Sequence, residues 1–529
     1  VAVPSRADRS VSGSPPTRRA ELLAALSLAI DLGLGQPMEH MLRACVLGTR
    51  IAQRIELDQA QQDRVFYATL VSWIGCHADS YDLAGVFGDD IGFRADTYAI
   101  DKRGVPLVRF MVTHAATDPR WTVRTAQTLA FLATGRKTLD RIIRSHCVSA
   151  GVLATHVGTD EEVAALLAYA FERWDGAGLP DGARHDTIPI EMRIVHLCDT
   201  TEVHVRERGR EAAIEMLRAR RGTQFDPDLV DAVLSDPDEL LAGVVGSDAW
   251  EAALANAPAE RPLNAGELTD ALTAIGDFAD LKSPYTAGHS RAVASLATDA
   301  ARVAGLDPEH HRNLLHAGLV HDLGRLGVSN AVWDKQSPLT TAELERVRLH
   351  PYLTERILNR VPGLAAIAPL AGAHHERLDG SGYARGLKAA GLDQSSRILA
   401  AADRYRTATE PRPHRSARTP AEAAELLRGD VRDLRLDGPS VEAVLTSAGH
   451  RARRRHAWPA GLTDREVEVL RRLIHGLSNR QIATELSITE KTARNHLEHI
   501  YAKLGVANRT SASLFAVQHG IVDSPGHGN

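Results

Sequence analysis

Histidine and aspartate recur through the middle of the chain in a pattern that can hold metal ions. His289 is followed by the pair His321-Asp322, then by His350, the pair His374-His375 and Asp403. Neutral imidazole mixed with carboxylate suits first-row transition metals such as manganese or iron. An aspartate shared between two groups of histidines brings two ions within a few ångström of one another. Such a pair makes a hydroxide available at neutral pH and clamps a phosphodiester. One histidine alone would carry none of this, because lone histidines are commonly satisfied core or surface residues. Gly324, the run 379–383 and the run 397–403 stand among these residues.

In that order and spacing, residues 265–450 resemble the HD-GYP family of metal-dependent phosphodiesterases, which has an all-helical fold. The resemblance implies that His289, His321, Asp322 and Asp403 hold one metal. Asp322 would bridge to a second, held by His350, His374 and His375. Tyr285 stands where three-metal members have a glutamate, so two divalent ions, iron or manganese, are expected. Cyclic di-GMP is the family's best-known substrate and the first expectation for this chain. Asp322 and Arg325 become the catalytic residues. Two departures stand out. Arg325 replaces the family's lysine, and its planar fork differs from an ammonium although either neutralises a phosphate. Ala384 replaces the proline of Gly-Tyr-Pro, which loosens a loop that shapes the substrate or partner surface.

The first half repeats the pattern. Residues 172–178 line up with 376–382, and 193–199 with 397–403; His146 falls on His350 at the same offset. Upstream, His40 falls on His289 at a larger offset, so the first copy carries an insertion around 79–120. Segment 68–75 aligns with 317–324, and there His-Asp has become Ser72-Trp73. The His374-His375 pair has become Ala170-Phe171. His40, His146 and Asp199 survive, too few for a dinuclear centre. The first copy therefore reads as a pseudo-enzyme that kept the fold. His77 and Asp79, just past the lost motif, read as exposed loop residues. The repeat suggests that this copy docks on the second as an internal pseudo-dimer. A vacated pocket is its other use, for which the sequence offers no ligand chemistry.

The C-terminal stretch carries a different signal. Thr463 followed by Glu466 is a capping box that starts a helix, with Val467, Leu470, Leu473 and Ile474 on one face and Gly476 at its end. A short helix over 479–486 points Ile482, Ala483 and Leu486 inward, and the turn Ser487-Ile488-Thr489 follows. Thr489 caps a third helix, Glu490–Leu504, whose inner face is Ala493, Leu497, Ile500 and Leu504. Gly505 stops it, and a fourth helix covers 509–519. Helix, short helix, turn and longer helix make a helix-turn-helix, whose second helix enters the major groove. Residues 460–522 resemble the LuxR-type regulators through Leu462-Thr463, Arg465-Glu466, Ser478-Asn479, Ile482-Ala483, Lys491-Thr492, His496 and Lys503-Leu504-Gly505-Val506. The resemblance implies that Arg494 and Asn495 read bases, that Lys491 and Lys503 contact phosphates, and that the fourth helix makes a homodimer. Glu498 stands where many relatives are basic. Just upstream, 451–456 is a basic linker.

Composition fits this organisation. Aromatics are only 5%, so Ala and Leu fill the apolar positions and favour helices packed on helices. The formal net charge is -5, so DNA affinity must come from a local basic surface. Cys45, Cys76, Cys147 and Cys198 fit no zinc motif and read as reduced, buried thiols. The start of the chain, rich in Pro, Ser and Arg, reads as a disordered lead-in without a signal peptide. No apolar run reaches the ~20 residues that span a bilayer, which points to the cytoplasm and no membrane partner. The expected architecture is all-α: a disordered segment at 1–20, a degenerate HD-GYP-like bundle at 21–245, an HD-GYP bundle at 262–450, a linker at 451–459 and a four-helix LuxR-type domain at 460–525. The expected function is a DNA-binding transcriptional regulator that hydrolyses or senses a cyclic dinucleotide or related phosphoester. The alternative is a non-catalytic sensor or oligomerisation platform.

Overall fold

The computed structural model describes residues 15–521, apart from 102, 116–120, 247, 451–457, 475–476, 487, 507 and 520. The lead-in up to residue 14, the basic stretch 451–456, Gly476 and Ser487 lie outside the described residues. The chain divides into two units, Val1–His450 and Arg451–Asn529. Among the described residues both are helical, without strands.

Two sets of matching helices build the first unit. His40–Arg54 corresponds to His289–Val303, Gln59–Val71 to Pro308–Val320, and Ile190–Arg208 to Gln394–Thr409. Their starts are made alike. Asp58 and Asp307 each turn a carboxylate back onto the free N–H groups of the helix that follows. Glu39 and Gly288 share a left-handed backbone, at φ 77° and 75°, before His40 and His289. A buried aspartate holds each of these turns. Asp31 accepts from the Met41 N–H at 3.1 Å, and Asp280 accepts from the Ser290 N–H at 2.8 Å. A short 3-10 turn follows the third helix in both copies, Ile74–His77 and Leu323–Gly327. Glycine is required inside both. A Cβ at Gly75 would lie 2.7 Å from the His146 carbonyl oxygen, and one at Gly324 would lie 2.1 Å from that of His350.

The first copy differs by the helices Ser80–Phe87, Asp90–Thr97 and Gly104–Ala115 and by the long helix Trp121–His156. Two residues expected to be exposed are buried. His77 and Asp79 have relative exposures of 0% and 3%. His77 lies in the 3-10 turn against Phe278, with ring centroids 4.7 Å apart, and Asp79 accepts from His146 Nδ1 at 3.0 Å. Phe278 of the second copy and Gly33 of the first helix close on His77, and the long helix covers Asp79 through His146.

The two copies share one hydrophobic core, in which Leu23, Leu26, Phe66 and Leu70 lie with Phe278, Ala294, Leu319 and Leu323. All four cysteines are free and buried. No helix among the described residues is long and apolar enough to cross a membrane. The second unit contains the helices Asp464–Ile474, Asn479–Glu485, Glu490–Leu504 and Arg509–Gln518 around Val467, Leu470, Ile482, Leu497 and Ile500.

Candidate metal centre and nucleic-acid face

In the second copy, His289, His321, Asp322, His350, His374, His375 and Asp403 converge from five segments of helix and turn. Donor atoms of His289, His321 and Asp322 lie within 4.8 Å of one another, and so do those of His350, His374 and His375. Asp322 stands between the groups. Its Oδ2 is 3.9 Å from His289 Nε2 and 3.7 Å from His321 Nε2. Its Oδ1 is 3.4 Å from His350 Nε2 and 3.7 Å from His374 Nε2. One carboxylate thus faces a separate set of imidazoles with each oxygen. Asp403 joins both sides, 3.3 Å from His289 Nε2 and 3.6 Å from His375 Nδ1.

The rings are oriented by their other nitrogens. His321, His350 and His374 donate Nδ1–H to the carbonyls of Gly318, Val347 and Ala371, at 2.8, 2.6 and 2.6 Å. This fixes the tautomer and leaves each Nε2 lone pair toward the centre. His289 uses a carboxylate instead, with Nδ1 2.8 Å from Glu410 Oε2. Sequence reasoning missed Glu410, which lies beyond the last motif. The Nε2 of buried His321 has no hydrogen-bond partner among the described residues. An unpartnered buried nitrogen beside a shared carboxylate is what a cation would satisfy, so this donor set fits metal ions.

Electrostatics point the same way. Burial pushes His350 down to about 3 and His374 down to about 4, so both rings are neutral donors near pH 7. Burial opposes charge on Asp322, but Arg325 and the surrounding histidines hold it well below the usual carboxylate range. Arg325 reaches Asp322 Oδ2 at 3.3 Å and lies over the Trp333 ring at 3.8 Å. Tyr383 flanks His375, with centroids 4.8 Å apart.

The first copy has the same frame and different chemistry. Asp199 Oδ1 accepts from His40 Nε2 at 3.0 Å, from Trp73 Nε1 at 3.1 Å and from the Tyr98 hydroxyl at 2.9 Å. Burial opposes protonation of His40, but Glu202 and Asp199 raise it to about 10, so it is an ion-paired imidazolium. Phe171 packs against both Trp73 and His146, with centroids 5.3 and 4.8 Å away. Carbon has filled the place of the lost donors.

In the second unit, the Thr463–Glu466 capping box forms through reciprocal bonds of 2.8 and 3.2 Å. Lys491, Arg494, Asn495 and Glu498 are exposed on the outer face of Glu490–Leu504, opposite Ala493, Leu497 and Ile500. Lys503 is exposed near the end of the same helix. Its Nζ is 2.7 Å from Glu466 and 3.1 Å from the Gly461 carbonyl, so its charge is matched inside the domain.

Comparison with known proteins matches residues 133–229 and 274–439 to the HD domain, and 460–516 to the bacterial regulatory proteins of the luxR family. The 3'3'-cGAMP-specific phosphodiesterase 3 of Vibrio cholerae is 33% identical over 402 residues, covering 75% of this chain and 87% of that protein. A crystal structure of a cyclic GMP-AMP specific phosphodiesterase from V. cholerae superposes with a TM-score of 0.58 at 28% identity, covering 82% of this chain and 99% of that one. At the C-terminal end, the transcriptional regulatory protein LnrK of Bacillus subtilis is 48% identical over 60 residues, which are 11% of this chain and 27% of that protein.

Proposed function

The chain belongs to the HD-domain phosphodiesterase family and carries a luxR-type regulatory domain, and on that premise we propose that its second copy hydrolyses a 3'3'-linked cyclic dinucleotide while its C-terminal domain binds DNA. The observation that carries the reading is Asp322, whose two oxygens face two separate sets of histidines. The relative's printed substrate favours cyclic GMP-AMP ahead of cyclic di-GMP.

His289, His321, Asp322 and Asp403 would hold one divalent cation, and Asp322 with His350, His374 and His375 a second, iron or manganese by donor type. Bound there, such ions supply Lewis acidity toward a phosphoryl oxygen and lower the pKa of water. The chain's own residues do the rest. The backbone carbonyls behind His321, His350 and His374 keep the donor nitrogens aimed. Arg325, already beside Asp322, offsets the negative charge that builds on a phosphodiester as it is attacked. Tyr383, beside His375, offers a ring against which a base can stack.

The DNA reading rests on the exposed face of Glu490–Leu504. Lys491 positions the helix on phosphate, while Arg494 and Asn495 reach base edges. The fourth helix would pair two copies.

A second reading, binding without turnover, draws on one observation. The Arg325 guanidinium is committed to Asp322 and Trp333, so a nucleotide could be held without its help in the attack. One experiment separates the two. The purified full chain is assayed for metal content and for turnover of a panel of cyclic dinucleotides, beside Asp322→Ala. Two equivalents of metal and turnover that vanishes in the variant support hydrolysis. Equal turnover in both proteins sinks it; two metals with no turnover but altered DNA binding select the sensor.

A further inference from the structure

The degenerate copy contains a cavity of about 200 Å³ where the second copy has its histidines and carboxylates. Trp73, Phe93, Phe110, Ile142 and Phe171 line it, together with His146. Trp73 and Phe171 are the replacements for a metal-binding aspartate and histidine, and His146 is the counterpart of His350. Phe93 and Phe110 come from the insertion that the second copy lacks, so part of the wall is this copy's own addition. Loss of the metal donors and gain of an apolar enclosure coincide at one place.

The wall is largely carbon. His146 Nε2, Glu172 Oε2 and Arg94 Nε are buried polar atoms on it without a hydrogen-bond partner among the described residues. Glu172 and Arg94 are bonded through their other atoms, to the Asp181 N–H and to Asp90. His146 is 2% exposed, and its Nδ1 is tied to Asp79 at 3.0 Å. Its Nε2 is buried and has no hydrogen-bond partner among the described residues. Leaving that nitrogen unpaired costs free energy that a ligand's polar group would recover. Asp199, also on the wall, already accepts from His40, Trp73 and Tyr98 through Oδ1.

We propose that this cavity is a binding site for a small, uncharged aromatic molecule bearing one hydroxyl, a substituted phenol in chemical class. Size sets the ring count. An apolar cavity of ~150 Å³ stays dry and takes one benzene ring, so about 200 Å³ suits one substituted ring or a compact fused pair. Chemistry sets the substituent. A hydroxyl can donate to the neutral Nε2 or accept from it when protonated, so it satisfies His146 in either state. Charged groups are disfavoured because the ionised side chains on the wall, Arg94, Arg173 and Asp199, are already matched to Asp90, Asp175 and His40, which leaves little to repay a ligand ion's desolvation. The site is separate from the proposed hydrolytic centre and does not depend on it.

The test is a fluorine NMR titration of the full chain with 4-fluorophenol. Saturable binding is expected, weakened ~10-fold or more by each of two cavity-filling variants, Ala170→Leu and Ile142→Phe. Fluorobenzene, which lacks the hydroxyl, should bind ~5-fold more weakly, the worth of one hydrogen bond. Asp322→Ala should bind like the parent. Circular dichroism and melting curves establish that each variant is folded, and two variants at different walls guard against one that is not. Absence of saturable binding overturns the proposal. So does binding that both folded filling variants leave intact, or binding that Asp322→Ala removes.

Discussion

His321, His350 and His374 each hand Nδ1–H to the carbonyl three residues earlier, so the local helical turn, and no distant partner, aims these rings. His289 follows the left-handed Gly288, and Glu410 supplies the acceptor. Glu410→Gln keeps an acceptor and removes the charge. It should weaken one of the two metal equivalents ~10-fold or more and spare the other. Competition against a chelator, read by metal analysis, checks this, and two unchanged equivalents would remove Glu410 from the site. Asp31 gives a pH prediction. Burial raises its carboxyl to about 7, against the pull of His40 and the Met41 N–H, and Oδ2 has no partner among the described residues. The folded chain therefore keeps a proton that the unfolded chain releases near its ordinary 3.8. Because the folded state binds more protons in that window, this contribution is full below pH 4, falls as pH rises, and is gone above pH 7. Its size is at most ~4 kcal/mol, from about three units at 1.36 kcal/mol each. Asp31→Asn should flatten the fall and melt above the parent at pH 8, with little gain at pH 4; parallel melting curves for the two proteins would contradict the assignment.

At the scale of helices, legibility followed local chemistry. Thr489 and Gly505 mark the ends of Glu490–Leu504, because a capping side chain and a left-handed glycine act within a few residues of themselves. The paired stripes of Val467, Leu470, Ile482 and Leu497 were readable for the same reason, since period alone selects a face. What remained hidden was tertiary. His77 and Asp79 look like a polar loop, and only tertiary packing buries them, with Phe278 and Gly33 against His77 and His146 against Asp79. Lys503 looks like any basic residue late in a helix, and only the packing of the domain brings it to Glu466, which lies far from it in sequence. The metal-type residues were legible as a set because their order is distinctive, whereas Glu410 carries no motif and shows only in the fold. The outer face of Glu490–Leu504 yields its own prediction. Arg494→Ala should cost ~1–3 kcal/mol at the preferred operator and relax preference at one base position. Lys491→Ala should weaken all sequences alike and flatten the salt dependence. Footprinting across salt concentrations distinguishes these outcomes, and an Arg494→Ala protein with unchanged affinity and footprint would move the reading face elsewhere.

Within the 1–450 unit, the two copies are joined by more than their common core. Asp90, on the inserted part of the first copy, accepts from the second copy's Lys282 Nζ at 3.4 Å, Ser329 hydroxyl at 2.7 Å and Asn330 N–H at 2.9 Å. Arg94, which lines the first copy's cavity, donates to the same carboxylate at 3.0 Å. Burial would raise this carboxyl, but Lys282 and Arg94 hold it far below its usual range, while burial lowers Lys282. A charge this enclosed is tolerated only with its partner. Removing Asp90 leaves Lys282 and Arg94 buried without their carboxylate, at ~3–5 kcal/mol, whereas removing Lys282 leaves Asp90 with Arg94, Ser329 and Asn330 and costs less. Asp90→Ala should therefore lower the denaturation midpoint strongly and Lys282→Met less, and the double variant should lose less than the sum of the two. The remaining deficit belongs to Ser329, Asn330 and Arg94, whose donors lose their acceptor. These two residues directly follow the turn Leu323–Gly327 that carries Arg325, so Asp90→Ala should also reduce turnover at the second copy while Lys282→Met, which leaves both donors satisfied, should reduce it less. Strictly additive stabilities in this cycle would mean that the copies are held by their apolar core alone, and that the first copy has no polar hold on the turn beside the metal-type residues.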